Sequence, residues 1–506
     1  MASRMGCVTG LDLASHCRLL LHSRPRHTLL YRWCLLYPLY LVSEIAIIAT
    51  DLAELLGSAI ALCLLFPKLE LWHGVLITAF DVVFLLALGD PLRGRPVRVF
   101  EWGIAGMVLA VFVCMCVIVS KVDVKWGPVF EGYLPSKYII PNGALYVSVG
   151  IIGATVMPHS LFLGSALATQ DRVSTKHKNV FSSSSSSSIS SSSSSLSDKP
   201  PSPPTWKQHL HKALTSTLAA FRTPPPSTFA TRVNRHVDRE NNSLEFVEAH
   251  VYHGVVDVAV SLLGFAVVIN SLILILAGGV FFYGTEERTD GKSPAGLFDA
   301  YDLIRDLVGQ GAATLFAIAL LAAGQSSSII ATVAGQAVSE GFLQWRVSVR
   351  KIISLQVVRV LTLLPSSHLS TPSTPPQPVI RRLLTRLLAV IPSMVVAIAV
   401  GRRGIDTLLV LSQVVLSIVL PFITLPLIYV TSSRGLMRVR DERERGPSDS
   451  EVRVGDPEAG ASRDFSNGWV TTVLACAIWL LVSIANVYVL TTVKGEVEGS
   501  TGGGGH

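Results

Sequence analysis

The hydrophobic positions of this chain fall into long continuous runs rather than into the narrow apolar stripes of surface helices. Nine runs can be traced, at 37–66, 71–88, 99–119, 144–168, 253–282, 311–343, 382–401, 406–433 and 469–493. About 20 apolar residues in helical form cross the hydrocarbon core of a bilayer, so most of these runs predict spanning helices. The run 71–88 is short, and several others are long enough to predict tilt or internal breaks. Polar stretches separate the runs. Ser182–Ser188, Ser190–Ser195 and Pro200-Pro201-Ser202-Pro203-Pro204 lie in the largest of them. That composition buries too little surface to fold, so about 172–240 reads as a disordered linker. The 344–380 loop holds IISLQVVRVLTLL (352–364), too short and too interrupted by Arg359 to span, followed by a turn-rich stretch.

Composition sharpens the picture. Half of the 506 residues are hydrophobic and only 15% are charged. A soluble domain is more polar, so the fold class is an all-α, multi-span membrane protein. The seven cysteines are scattered, with Cys63, Cys114 and Cys116 inside apolar runs, and show neither a disulfide framework nor zinc spacing. Residues 1–30 are polar and dotted with His and Arg, unlike a signal peptide. The net charge of +7 is informative by side. Basic residues crowd the N-terminus, the 89–98 loop, 169–252, 344–382 and 434–468, whereas 283–310 leans acidic. These basic segments are alternate connections, which places the N-terminus in the cytoplasm and the C-terminus across the membrane. Nucleic acid is not needed to explain the basic balance.

The chemistry concentrates where polar residues interrupt the runs. Met157-Pro158-His159 sits near the middle of 144–168. Pro158 has no N–H, so the Ala154 carbonyl four residues back loses its helical partner. Gly153 and Pro158 mark the expected helix break. In lipid such a break survives beside a cavity or a site. It offers the Ala154 carbonyl oxygen, the Met157 thioether and the His159 imidazole together, and sulfur favours soft transition metals over calcium or magnesium. Taken alone, the tripeptide also reads as an ordinary kink with Met as filler. Its company changes that reading.

Run 37–66 carries Glu44, Asp51 and Glu54, which share one face at 100° per residue. Each costs about 2.5 kcal/mol or more at the bilayer centre, too much for decoration. Grouped carboxylates can exchange protons near neutral pH, or pair with arginines of another span. Arg386 is the deepest candidate partner. Asn270, Gln325 and Gln413 are further intramembrane polar groups; most such amides bind neighbouring helices, but the Gln413 carbonyl could serve as a neutral oxygen ligand.

These residues resemble the NRAMP family, the natural resistance-associated macrophage protein divalent metal transporters. The likeness rests on IIATDLAELLG (47–57), GATVMPHSLFLGSAL (153–167), GQSSSIIATVAGQ (324–336) and SQVVLSIVLPF (412–422). It covers nearly all of the apolar chain and is nearest to the longer, fungal-type members. The resemblance implies a leucine-transporter-like fold of two inverted five-helix repeats with broken first and sixth helices. It implies metal ligation by Ala154, Met157 and Gln413, and a proton path through His159, Glu44, Asp51, Glu54 and Arg386. The transported species would be manganese or iron and protons, with membrane lipid as a further partner, no nucleic acid, no protein partner specified, no cofactor and no enzymatic step. The family pattern further divides the chain into a cytoplasmic segment 1–36 ending family helix 2, then helices 3–6 (37–168) and the linker 169–252. Helices 7–8 (253–343), a basic loop 344–381, helices 9–10 (382–433), a loop 434–468, helix 11 (469–493) and a non-cytoplasmic tail 494–506 follow. The family's first-helix Asp-Pro-Gly-Asn motif does not occur in these 506 residues. The resemblance therefore implies a chain lacking helix 1 and most of helix 2, with 347–379 read as a retained intron. Expected function is proton-coupled import of manganese and iron into the cytoplasm, across a plasma, endosomal or vacuolar membrane. The alternative is a truncated, non-transporting product that is degraded or accompanies a full-length transporter.

Overall fold

The computed structural model describes residues 1–24, 26–87, 97–134, 136, 144–170, 241–283, 296–343, 390–395, 397–399, 401–440 and 462–502. The serine-rich linker, the 344–381 loop and Arg386 lie outside the described residues. The principal helices are α1 (Ala2–Thr9), α2 (Leu13–Leu21), α3 (Tyr37–Leu65), α4 (Leu71–Ala87), α5 (Val97–Val119), α6 (Ala144–Thr155) and α7 (Pro158–Leu167). After the linker come α8 (Leu244–Val260), α9 (Val267–Ala277), α10 (Leu297–Val308), α11 (Gln310–Leu343), α12 (Gly401–Ser432) and α13 (Trp469–Gly502). Two three-residue strands, β1 (Arg438–Arg440) and β2 (Ser462–Asp464), pair antiparallel between α12 and α13. Among the described residues seven helices are long and apolar enough to cross a membrane: Thr28–Leu65, Trp102–Val119, Ala144–Leu167, Leu244–Phe281, Gln310–Leu343, Ile405–Ser432 and Trp469–Thr491. The runs 71–88 and 382–401 coincide with shorter apolar helices, Leu71–Phe80 and Val390–Ala399.

Helix α3 is the axis of the structure. Pro38 stands in its first turn, where a missing N–H costs nothing. Its middle, from Thr50 through Ala61, is buried throughout. Small residues let the neighbours approach. A Cβ on Gly324 of α11 would overlap Ser58 Oγ and stand 3.2 Å from the Glu54 carbonyl, and one on Gly74 of α4 would stand 3.0 Å from Ala59 Cα. Close backbone approach through small residues is how apolar helices gain contact where lipid is as apolar as leucine. The outer helices show the complementary pattern: Tyr252, Leu263, Trp469 and Leu481 are largely exposed, the surface a hydrocarbon solvent would cover.

The first 21 residues are less polar in space than in sequence. Met5, Val8, Leu13 and Cys17 are buried in one cluster with Ile47, Phe162, Phe342 and Leu416. Gly10, with φ of 63°, turns the chain between α1 and α2, a conformation glycine adopts freely. Asp12 then caps α2, accepting the Ser15 N–H at 3.3 Å. The elbow is fastened to α7 by the Leu13 N–H, which donates to Ser165 Oγ at 2.9 Å.

Helix α12 contains Pro421 and Pro426. Pro421 cannot donate to the Ser417 carbonyl. Asn486 of α13 fills that gap: its Nδ2 donates to the Ser417 carbonyl at 2.7 Å and its Oδ1 accepts from Ser417 Oγ at 2.9 Å. Trp479 Nε1 adds a bond to the Pro421 carbonyl at 2.9 Å. Asn486→Ala leaves a buried carbonyl without its donor, so we expect about 1–3 kcal/mol of destabilisation. Thermal unfolding of the purified protein in detergent reads this directly; an unchanged midpoint would show that the pair contributes nothing.

Candidate functional site

The interruption expected at Met157-Pro158 is present. Helix α6 ends at Thr155 and α7 begins at Pro158, and Met157 is extended, with φ −68° and ψ 126°. The flanking bonds run from the Val156 N–H to the Ile152 carbonyl and from the Ser160 N–H to the Met157 carbonyl. Neither uses the Ala154 oxygen, and Pro158 has no N–H to offer it. Ala154 and Met157 are half-buried, and Pro158 and His159 are buried.

Gly153 corrects one expectation. It was expected at the break, yet it lies inside α6, buried, with the break two residues further on. Its bare Cα serves instead as a seat for α12. A Cβ there would overlap the Gln413 carbonyl and stand 2.7 Å from the Ser417 amide nitrogen. The backbone of Gln413 is therefore pressed against the residue next to Ala154. The Gln413 side chain ends in an Oε1 atom that is buried and has no hydrogen-bond partner. A buried amide oxygen left unbonded costs free energy that a ligand would return. Among the described residues no three His, Cys, Asp or Glu side chains are grouped to hold a metal ion. The break itself carries the Ala154 carbonyl and the Met157 thioether, and the backbone of Gln413 lies against the adjoining Gly153.

A second polar set adjoins the first. Thr50 on α3 stands 3.3 Å from His159 Nδ1, and its hydroxyl donates to the Ala46 carbonyl at 2.9 Å. With its single proton used there, Thr50 Oγ1 accepts from Nδ1–H, which leaves Nε2 as the acceptor of the ring. Asp51 and Glu54 are buried and face α11. Ser328 Oγ donates to Asp51 Oδ1 at 3.0 Å, and Ser327 Oγ donates to Glu54 Oε1. The face of three carboxylates thus resolves into two that meet the serines of α11, while Glu44 is half-buried two turns earlier on α3. Gln325 lies beside these serines, with Oε1 buried and unbonded. Asn270 is half-buried on α9.

Sequence reasoning overlooked Thr50, Ser417 and Asn486. Threonine beside Asp51 was a usable signal, since a second polar residue on a buried helix needs a partner. Asn486 carried the same signal, a lone amide in an apolar run.

The chain matches the natural resistance-associated macrophage protein-like family over residues 1–196 and 231–441. It is 34% identical to a manganese transporter of Schizosaccharomyces pombe, over 96% of this chain and 74% of that protein. It is also 34% identical to an iron transporter of Saccharomyces cerevisiae, over 96% of this chain and 84% of the relative. A divalent metal cation transporter of Nostoc is 35% identical over 86% of this chain and 72% of its own length. Among solved structures, a mutant manganese transporter of Eremococcus coleocola superposes with a TM-score of 0.58 at 24% identity, covering all of this chain and 78% of the other.

Proposed function

The chain belongs to the natural resistance-associated macrophage protein family, and on that premise we propose that it carries divalent transition metals, manganese and iron first, into the cytoplasm together with protons. One observation supports the reading: Gln413, whose Oε1 is buried and unbonded among the described residues, has its backbone against Gly153, next to the break that frees the Ala154 carbonyl and carries Met157. The ion would rest on Ala154 oxygen, Met157 sulfur and Gln413 oxygen. Sulfur discriminates against calcium and magnesium, which lose strong oxygen hydration and gain little from a thioether. The family's Asp-Pro-Gly-Asn donors are absent from these 506 residues, so the reading concerns the three donors this chain supplies.

Protons would use the adjoining set. Asp51, Glu54 and His159 are buried together with hydroxyl partners on α3 and α11, and with Glu44 they would form the path. Orientation follows the basic connections, with the N-terminus in the cytoplasm; the membrane would be the plasma, endosomal or vacuolar membrane.

Manganese uptake by this chain in a cell lacking its own transporters tests the reading. Uptake above the empty-vector background with accompanying acidification is the expected result. A chain that only accompanied another transporter would give none. Asp51→Asn is expected to reduce metal-driven acidification about tenfold or more while manganese still binds, as measured by calorimetry. Undiminished proton flux in that variant would remove Asp51 from the path.

A further inference from the structure

Gly296 opens α10, in the connection from α9 to α11, and has no side chain with which to cap it. The cap comes from another helix. Asp406, near the start of α12, sets its carboxylate against Gly296: a Cβ there would overlap Oδ2 and stand 3.0 Å from Oδ1. The same carboxylate lies close enough to the Leu297 backbone N–H to be favoured by it in its charged form. A carboxylate at the first turn of a helix satisfies an orphan donor and complements the dipole. Arg305, in the last turn of α10, is paired with Asp302 at 2.9 Å, and Leu297, Tyr301 and Ile304 of α10 share an apolar cluster with Ile405 and Leu408 of α12, so this cap is the polar part of a joint that also packs apolar side chains.

Asp406 and Gln413 are seven residues apart. At 100° per residue they differ by about 700°, within about 20° of two full turns, and they are separated by about 10 Å along the axis. They share a face of α12, and both prolines of that helix lie beyond Gln413. The segment joining them is an unbroken rod. We infer that Asp406 is a positioning residue for transport: by capping α10 it sets the height and rotation of α12, and with them the place of the Gln413 amide opposite Ala154 and Met157. This rests on the reading of Gln413 as a metal donor.

The test compares the half-saturating manganese concentration and the maximal uptake rate of the full chain with those of Asp406→Ala, Asp406→Asn, Gly296→Ala and the Asp406→Ala/Gly296→Ala double variant, at matched membrane abundance. Asp406→Ala is expected to raise the half-saturating concentration about fivefold to tenfold, with the maximal rate within about twofold. Asp406→Asn keeps an acceptor oxygen and should recover much of that loss. Gly296→Ala displaces the carboxylate without altering it, so it should reproduce Asp406→Ala. The double variant should be no worse than either single one, because all three remove one contact. Should Asp406→Ala fail to accumulate, Gly296→Ala and Asp406→Asn still decide the matter. Unchanged half-saturation in the variants, or effects that add in the double variant, overturn the inference alone. A parent chain that moves no manganese overturns the transport reading and this inference with it.

Discussion

Gly153→Val abolishes manganese uptake, or lowers it by more than about tenfold, in a chain that still reaches the membrane. The new Cβ would occupy the space of the Gln413 carbonyl and crowd the Ser417 amide. Both are backbone, so no rotamer change relieves the overlap; α6 and α12 must part. Forced packing of this kind costs about 1–3 kcal/mol, and it is taken up where Ala154 and Gln413 are proposed to hold the ion. Gly153→Ala should lie between parent and valine. Radiolabelled manganese uptake at matched protein abundance reads the series. Uptake within about twofold of the parent for the valine variant would mean that the two helices need not touch.

Met157→Ala should act on choice of ion more than on capacity. Removing sulfur leaves oxygen donors, which accept calcium as readily as manganese. The preference for manganese over calcium is expected to fall about tenfold or more, equivalent to about 1.4 kcal/mol. Calcium should become a competitor, or itself a transported ion, when the two are supplied together. Met157 is half-buried at an extended position outside both flanking helices, so truncation should leave the fold intact. Unaltered discrimination would remove the thioether from the site and return Met157 to the role of filler.

Much of this site was legible because its causes are local. A proline inside an apolar run breaks a helix wherever the run folds, and the spacing of Asp51 and Glu54 fixes their common face before any partner is known. The helices themselves were legible for the same reason, since long apolar runs admit little else. What escaped depends on contacts between distant segments. Gly153 could be read as a loosened hinge or as a seat for another helix, and only the position of α12 decides between them. Thr50 was passed over because threonine is common in helices; its importance comes from His159, more than a hundred residues away. The burial of Met5 and Val8 was hidden by the polar residues around them; His16 is itself buried, with Nε2 2.8 Å from Thr9 Oγ1, while Met5 and Val8 join Phe162 and Phe342. Arg386, proposed as a buried counterion, lies outside the described residues, so its part in the proton path stays a proposal.

The three donors proposed for the ion would have one electrical consequence. A carbonyl, a thioether and an amide carry no formal charge, so they would leave the ion both of its own. Carrying each of those charges across the whole membrane is worth about 2.3 kcal/mol for each 100 mV. An inside-negative potential would by itself draw the cation inward, and a depolarised membrane would slow the cycle even where the metal gradient is unchanged.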